Sequence, residues 1–149
     1  IKRTKHVPKA FGFRDGYGYS NLMFIAAGEV IRKVTGKPWD VYVEEVFFAP
    51  LEMNNTITST NDLLSNYATP HKPTLENGTV PIEWTNWDNM GAAGGIISSA
   101  NDMASWMMMN LEGGKWKGEE LINKEQQNLM WTPHNNFKLS EESKEAIPG

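Results

Sequence analysis

The sequence predicts a mainly α fold with long loops and at most one minor hairpin. Apolar residues recur three to four positions apart in several segments, which is typical of amphipathic helices. Capping or stop residues flank those segments. Strand signals are weak, since the one hairpin signal is Asn77-Gly78, inside a proline-rich connection over residues 68–97.

The first helix is expected to begin near Asn21, with Ser20 as its cap, because a serine hydroxyl can accept an unpaired backbone N–H. The helical pattern continues to Gly36, which is a typical C-terminal stop. Pro38 can occupy the first turn of a second helix, which is expected to end at Pro50.

Shorter elements complete the helical prediction. Ser99 and Asp102 have the spacing of a capping box, and the helix behind them is expected over about residues 100–112. A last helix is expected over about residues 123–131, and a short one over residues 61–67.

The length of 149 residues fits one domain, which we place at residues 1–135, followed by a polar tail at 136–149. A net charge of −4 argues against a nucleic-acid partner, because the phosphate backbone favours basic surfaces. No apolar stretch approaches the ~20 residues of a membrane span. The three histidines match no zinc spacing, so neither a metal nor a cofactor is expected.

Motifs for nucleophilic catalysis are absent from the chain. No serine lies in a G-x-S-x-G pattern, none has a lysine three positions later, and K-T-G does not occur. What remains is Tyr19-Ser20-Asn21, which follows a glycine-rich loop. On its own this tripeptide is a weak motif, and a packed loop tyrosine would explain it.

Two longer blocks resemble one enzyme family. Residues 19–56 read YSNLMFIAAGEVIRKVTGKPWDVYVEEVFFAPLEMNNT, and residues 91–115 read GAAGGIISSANDMASWMMMNLEGGK. The first is similar to the Y-x-N region of class C-type serine β-lactamases and of related penicillin-binding proteins, esterases and D-aminopeptidases. The second is similar to the family's A-G-G-x-x-S segment with D-M-A-x-W behind it.

The resemblance implies the all-α subdomain of the serine β-lactamase and penicillin-binding-protein fold. It also implies an acyl-enzyme mechanism on an amide, an ester or a β-lactam. Tyr19 would carry protons, Asn21 would hold the substrate amide, and Gly94 and Gly95 would lie beside the pocket. The substrate would be a small molecule or a peptidoglycan-like peptide, and the location periplasmic or secreted in a bacterium.

In the family the S-x-x-K serine precedes the Y-x-N motif, and a K-T-G or H-x-G strand follows this region. Since 18 residues before Tyr19 are too few for the S-x-x-K helix, the chain is interpreted as a helical piece that lacks its α/β domain and is inactive alone. An uncovered interface should expose apolar side chains around residues 11–24 and 88–97, and dimerisation through them is possible.

One departure from the family pattern has a backbone consequence. Glu52 stands where the family has glycine in P-L-G-M. If this position needs a positive φ, glutamate costs about 1 kcal/mol or more there.

A second interpretation is a non-catalytic helical binding module that uses loops rich in tyrosine and tryptophan. Trp84, Trp87, Asp88 and Asn89 would then line a pocket rim, although a buried aromatic cluster accounts for them equally well.

Overall fold

Helices form most of the regular structure of the chain. A computed structural model describes residues 3–9, 12–13, 18–76 and 78–134. The α-helices of this part are α1 (Asn21–Thr35), α2 (Trp39–Val43), α3 (Ala100–Leu111) and α4 (Lys124–Trp131). Helix α2 runs on into a π-helical turn, Glu44–Phe48. Short 3₁₀ helices lie at Thr4–His6, Thr60–Asp62 and Asp88–Ala93. The predicted polar tail, residues 136–149, lies outside the described residues.

The described residues contain two small antiparallel hairpins, so the prediction of at most one was wrong. Strands β1 (His71–Thr74) and β2 (Gly78–Pro81) form the predicted hairpin. Strands β3 (Lys115–Trp116) and β4 (Glu119–Glu120) form the second. Its two-residue turn has φ of 49° at Lys117 and 89° at Gly118. Lys-Gly lacks the Asn-Gly or Asp-Gly signal that marks such turns in a sequence.

The ends of the first two helices agree only partly with the prediction. Gly36 has φ of 75° and donates its N–H to Arg32 O (2.9 Å), so it stops α1 as predicted. Ser20 occupies the N-cap position, but its hydroxyl makes no capping hydrogen bond, and that prediction was wrong. Pro38 occupies the cap before Trp39, one position earlier than expected.

The predicted helix over residues 61–67 is reduced to a single 3₁₀ turn at Thr60–Asp62. The Ser59 hydroxyl accepts the Asn61 N–H (3.1 Å) and caps the turn. Leu63 then leaves the helical region with ψ of 127° and ends it.

The apolar core lies between α2 with its π-helical turn, the segment after it, and α3. Phe47 contacts Trp106 edge to face, with ring centroids 5.5 Å apart. Both of these side chains are half-buried, whereas a fully buried large apolar side chain stabilises a fold by about 1.5–3 kcal/mol. The buried apolar residues are Val43, Phe48, Leu51, Met53 and Met109.

A buried carboxylate joins the two blocks on which the family resemblance rests. Asp102 accepts hydrogen bonds from Thr56 Oγ1 (2.7 Å), Ser99 Oγ (2.9 Å) and the Asn55 N–H (2.8 Å). Ser99 Oγ also accepts the Asp102 N–H (3.2 Å), which confirms the predicted capping pair. Burial alone would raise the pKa of Asp102, but the hydrogen bonds from Thr56, Ser99 and Asn55 outweigh it and hold this pKa below its ordinary value.

Large apolar side chains are exposed in both stretches where an uncovered interface was expected. In the first stretch Phe13 is 91% exposed, and Met23 and Phe24 are also exposed. In the second stretch Ile96 is exposed, and Trp87, directly before this stretch, is exposed as well. No helix of the described part is both long enough and apolar enough to span a bilayer.

Candidate active site

Two of the predicted substrate-binding residues, Asn21 and Gly94, line one surface pocket of about 150 Å³. We call it the Asn21 pocket. Asn21 is the first residue of α1, and Gly94 directly follows the 3₁₀ helix at Asp88–Ala93. The other lining residues are Trp87, Met90 and Ala93.

Close packing of α1 on the 3₁₀ helix fixes the two walls of this pocket. A Cβ atom at Gly28 would lie 2.7 Å from Ala92 Cβ, so only glycine allows this approach. A Cβ at Gly91 would lie 3.2 Å from the Trp39 ring. The middle of α1 and the start of α2 are thereby packed against the 3₁₀ helix that leads into Gly94.

Gly95 is buried and does not line the Asn21 pocket. Its N–H donates to Gly91 O (2.6 Å), and a Cβ at this position would lie 2.7 Å from Gly91 Cα. Packing therefore accounts for the requirement for glycine at this position, whereas Gly94 forms part of the pocket surface.

Tyr19 lies two residues before Asn21 and is 78% exposed. Within the described part of the chain its hydroxyl makes no hydrogen bond, and Tyr19 does not line the Asn21 pocket. The side chain is thus accessible in the described part of the chain, unlike the packed loop tyrosine that was the alternative explanation.

A larger cavity of about 250 Å³ is lined by α1 and by other residues of the 3₁₀ helix, and we call it the Glu29 cavity. Glu29 forms an ion pair with Arg32 (2.6 Å), and both line it. Asp88 also lines it and accepts a hydrogen bond from Ser59 Oγ (3.0 Å). Met90 lines both this cavity and the Asn21 pocket, so the two are neighbours with different surface chemistry.

A third pocket, of about 430 Å³, lies beside the first hairpin, and we call it the Trp84 pocket. Trp84 and Tyr67 meet edge to face with ring centroids 6.5 Å apart. Trp84 lines this pocket, Trp87 lines the Asn21 pocket, and Asp88 and Asn89 line the Glu29 cavity, so these residues do not share one rim. The lining of this pocket is Tyr67, Thr69, Pro70, Pro81, Ile82, Glu83 and Trp84.

Across the residues that the structure describes, no three His, Cys, Asp or Glu side chains group so that they could hold a metal ion.

The family model for β-lactamase matches residues 1–142 of this sequence. The chain belongs to the β-lactamase family. This confirms the family resemblance of the Y-x-N block and of the A-G-G block.

Individual β-lactamase-family relatives agree with this assignment. An unguisins hydrolase from Aspergillus campestris is 31% identical over 112 residues, which cover 71% of this chain and 21% of the relative. A D-stereospecific amidohydrolase from Streptomyces sp. is 29% identical with a TM-score of 0.65, over 78% of this chain and 34% of that one.

A penicillin-binding protein from Bacillus halodurans has the same fold, with a TM-score of 0.70 at 21% identity, over 90% of this chain and 40% of that one. The chain thus spans about a fifth of the unguisins hydrolase and between a third and two fifths of these two solved structures.

Sequence reasoning missed Met90 and Ala93 as pocket residues of this β-lactamase-family chain. Both are ordinary apolar residues in a loop, and nothing in their spacing indicates a site. Their placement depends on the 3₁₀ helix, within which Met90 departs from helical geometry with φ of −138°.

Proposed function

We propose that this chain provides the Y-x-N side of the active site in a serine hydrolase that acts through an acyl-enzyme. The observation that carries the proposal is the Asn21 pocket. Asn21, at the start of the Y-x-N helix, and Gly94, in the A-G-G turn 73 residues later, line the same pocket. The exposed Tyr19 stands beside this surface in sequence and lacks a competing hydrogen bond within the described residues.

The proposed reaction proceeds in two steps. A serine hydroxyl from outside these 149 residues attacks the substrate carbonyl, an amine or alcohol leaves or the lactam ring opens, and an acyl-enzyme forms. Water then attacks the ester and releases the acid. Tyr19 would take the proton of the nucleophile and pass it to the leaving group.

The proton-transfer role of Tyr19 requires a cation from the rest of the protein. Phenols ionise near pH ~10, and a neighbouring positive charge favours the phenolate. In the family, the lysine of S-x-x-K supplies this charge, and neither that motif nor K-T-G occurs in this chain. We therefore propose that the 149-residue chain alone is inactive.

The substrate class follows from the family and from the names of its members. We propose an amide, an ester, a β-lactam or a peptidoglycan-like peptide. The relatives described above include a D-stereospecific amidohydrolase, which favours a D-configured amide or peptide. A peptidoglycan substrate would place the protein in the periplasm or outside a bacterial cell, which cell fractionation would test.

The exposed apolar side chains are proposed to contact the α/β domain of the same protein. They include Phe13, Met23, Phe24 and Ile96. Interfaces between domains of one chain bury on the order of 600–1,500 Å². If the isolated chain instead associates through this surface, its mass in solution will be that of a dimer.

A fluorescent penicillin and an activated ester test the proposed function. The protein that contains this chain, with its α/β domain, should become labelled with the stoichiometry of one acyl group per chain, and the 149-residue chain should not. Absence of labelling in the complete protein by both reagents, or labelling of the isolated chain, would contradict the proposal.

A second candidate function is a non-catalytic binding module, which the Trp84 pocket favours. Its aromatic pair and prolines present flat apolar surfaces suited to a sugar ring or a peptide. Titration with soluble glycan fragments and peptides, followed by tryptophan fluorescence, would test it. Binding lost in Trp84→Ala and kept in Trp131→Ala would support this function, and equal loss in both variants would contradict it.

A further inference from the structure

The Asn21 pocket is apolar except for one amide side chain. Trp87, Met90 and Ala93 contribute apolar surface, and the amide of Asn21 contributes a hydrogen-bond donor and an acceptor. None of its lining residues carries a charge. Such a pocket is suited to a ligand that carries an apolar group next to a polar group, with the polar group beside the Asn21 amide.

The neighbouring Glu29 cavity shows that this lack of charge is local. Glu29, Arg32 and Asp88 all line that cavity, which shares Met90 with the Asn21 pocket. A ligand with a charged side chain could therefore find partners there, whereas in the Asn21 pocket its charge would lose water and gain no ion pair.

The volume of the Asn21 pocket indicates the size of the apolar ligand group that it can hold. A volume of about 150 Å³ equals that of an engineered protein cavity that binds benzene. Trp87 is 49% exposed, so a ligand can still cover much of its surface. Covering this side chain removes apolar surface from water, which favours a phenyl or a branched aliphatic group.

We infer that the substrate carries a bulky, neutral, apolar side chain next to the amide that Asn21 holds, and that Trp87 selects it. The inference rests on the proposed function, because that function places the substrate amide at Asn21. Trp87 contacts the side chain and takes no part in the transfer of protons or of the acyl group.

The first test uses the complete protein, with the nucleophilic serine outside this chain replaced by alanine so that the ligands are bound and not hydrolysed. Its NMR spectrum is followed at the Trp87 indole and the Asn21 side-chain amide during titration with N-acetyl-D-phenylalaninamide. N-acetyl-D-alaninamide and the α-amide of N-acetyl-D-glutamate are the comparison ligands. We expect the phenylalanine compound to bind at least tenfold more tightly than either, since one or two missing methylene groups already change affinity by that order.

Variants then assign the preference to Trp87. Trp87→Ala should reduce the affinity for the phenylalanine compound to that for the alanine compound. Trp131→Ala is the matched control, because Trp131 is also exposed but lies at the end of α4. Equal affinity for the three ligands, no binding of any of them, or a preference that survives Trp87→Ala would overturn the inference.

A separate experiment tests the proposed function. Acylation of the complete protein by penicillin or an activated ester reports on the acyl-enzyme, whichever side chain the pocket prefers. Acylation without side-chain preference refutes the inference alone, and failure of acylation with a Trp87-dependent preference refutes the proposed function alone.

Discussion

Thr56 and Asp102 lie 46 positions apart in the sequence, and a buried hydrogen bond of 2.7 Å joins Thr56 Oγ1 to Oδ2 of Asp102. Next to this bond, Ile57 and Ile97 exchange two backbone hydrogen bonds of 2.9 Å. The segment after α2 is thus fastened to the segment that leads from the glycine turn into α3. The threonine of P-L-x-M-x-x-T and the aspartate of the D-M-A motif are explained by this link and need no role in catalysis.

Thr56→Val should lower the free energy of unfolding by about 1–3 kcal/mol, because it leaves a buried carboxylate without one of its donors. Urea denaturation followed by circular dichroism measures the change. Thr79→Val is the control, since Thr79 is exposed on β2, and it should stay within about 0.5 kcal/mol of the parent. A loss that is equal in both variants would contradict the role given to Thr56.

The Asp102 carboxylate should make stability depend on pH in the acid range. Its pKa is lower in the folded chain than in the unfolded one, so it stabilises the fold above the unfolded value of about 3.9. This contribution is lost as the pH falls through the folded pKa.

Asp102→Asn should therefore be less stable than the parent at pH 7, and the difference should shrink below about pH 4. Thermal denaturation at a series of pH values measures this. Asp62→Asn, at an exposed position, should leave the pH profile unchanged. A difference between the parent and Asp102→Asn that is constant down to pH 2 would contradict the assignment.

The sequence predicted the elements that depend on local chemistry. The stop at Gly36, the capping pair of Ser99 and Asp102, and the first hairpin follow from short-range rules, and all three are present. The Asn21 pocket depends on contacts between distant segments. The family resemblance supplied Asn21 and Gly94, but Met90 and Ala93 became pocket residues only through the packing of the 3₁₀ helix on α1.

Glu52 occupies a backbone conformation that favours glycine, with φ of 59°. The sequence comparison had raised this possibility, and the structure confirms it. Its carboxylate lies 2.5 Å from Lys117 Nζ, in an exposed ion pair that contributes only about 0–1 kcal/mol.

Glu52→Gly should consequently be more stable than Glu52→Ala by about 1 kcal/mol, since both variants lose the ion pair and only glycine avoids the left-handed penalty. Guanidinium denaturation of the two variants checks the difference. Equal midpoints and equal slopes would show that this turn relaxes to a negative φ in solution.

Gly95→Ala should destabilise the chain by about 1–3 kcal/mol, because its Cβ would meet the Gly91 backbone at 2.7 Å. Gly94→Ala is the comparison variant, since no atom lies within 4 Å of a Cβ built there, so that only the backbone strain at its φ of 158° opposes the substitution. It should cost less stability while it perturbs ligands in the Asn21 pocket. Calorimetry gives the stability difference, and the reverse order would contradict the packing role of Gly95.

The most direct test of the proposed acyl-enzyme chemistry is Tyr19→Phe in the complete protein, with Tyr67→Phe as the matched control. Tyr67 is an exposed tyrosine in the Trp84 pocket, away from the Asn21 pocket. The rate of acylation by a penicillin or an activated amide should fall by about 10²–10⁴-fold in Tyr19→Phe, the usual contribution of a proton-transfer residue, and stay unchanged in Tyr67→Phe. An acylation rate in Tyr19→Phe within twofold of the parent would contradict the account.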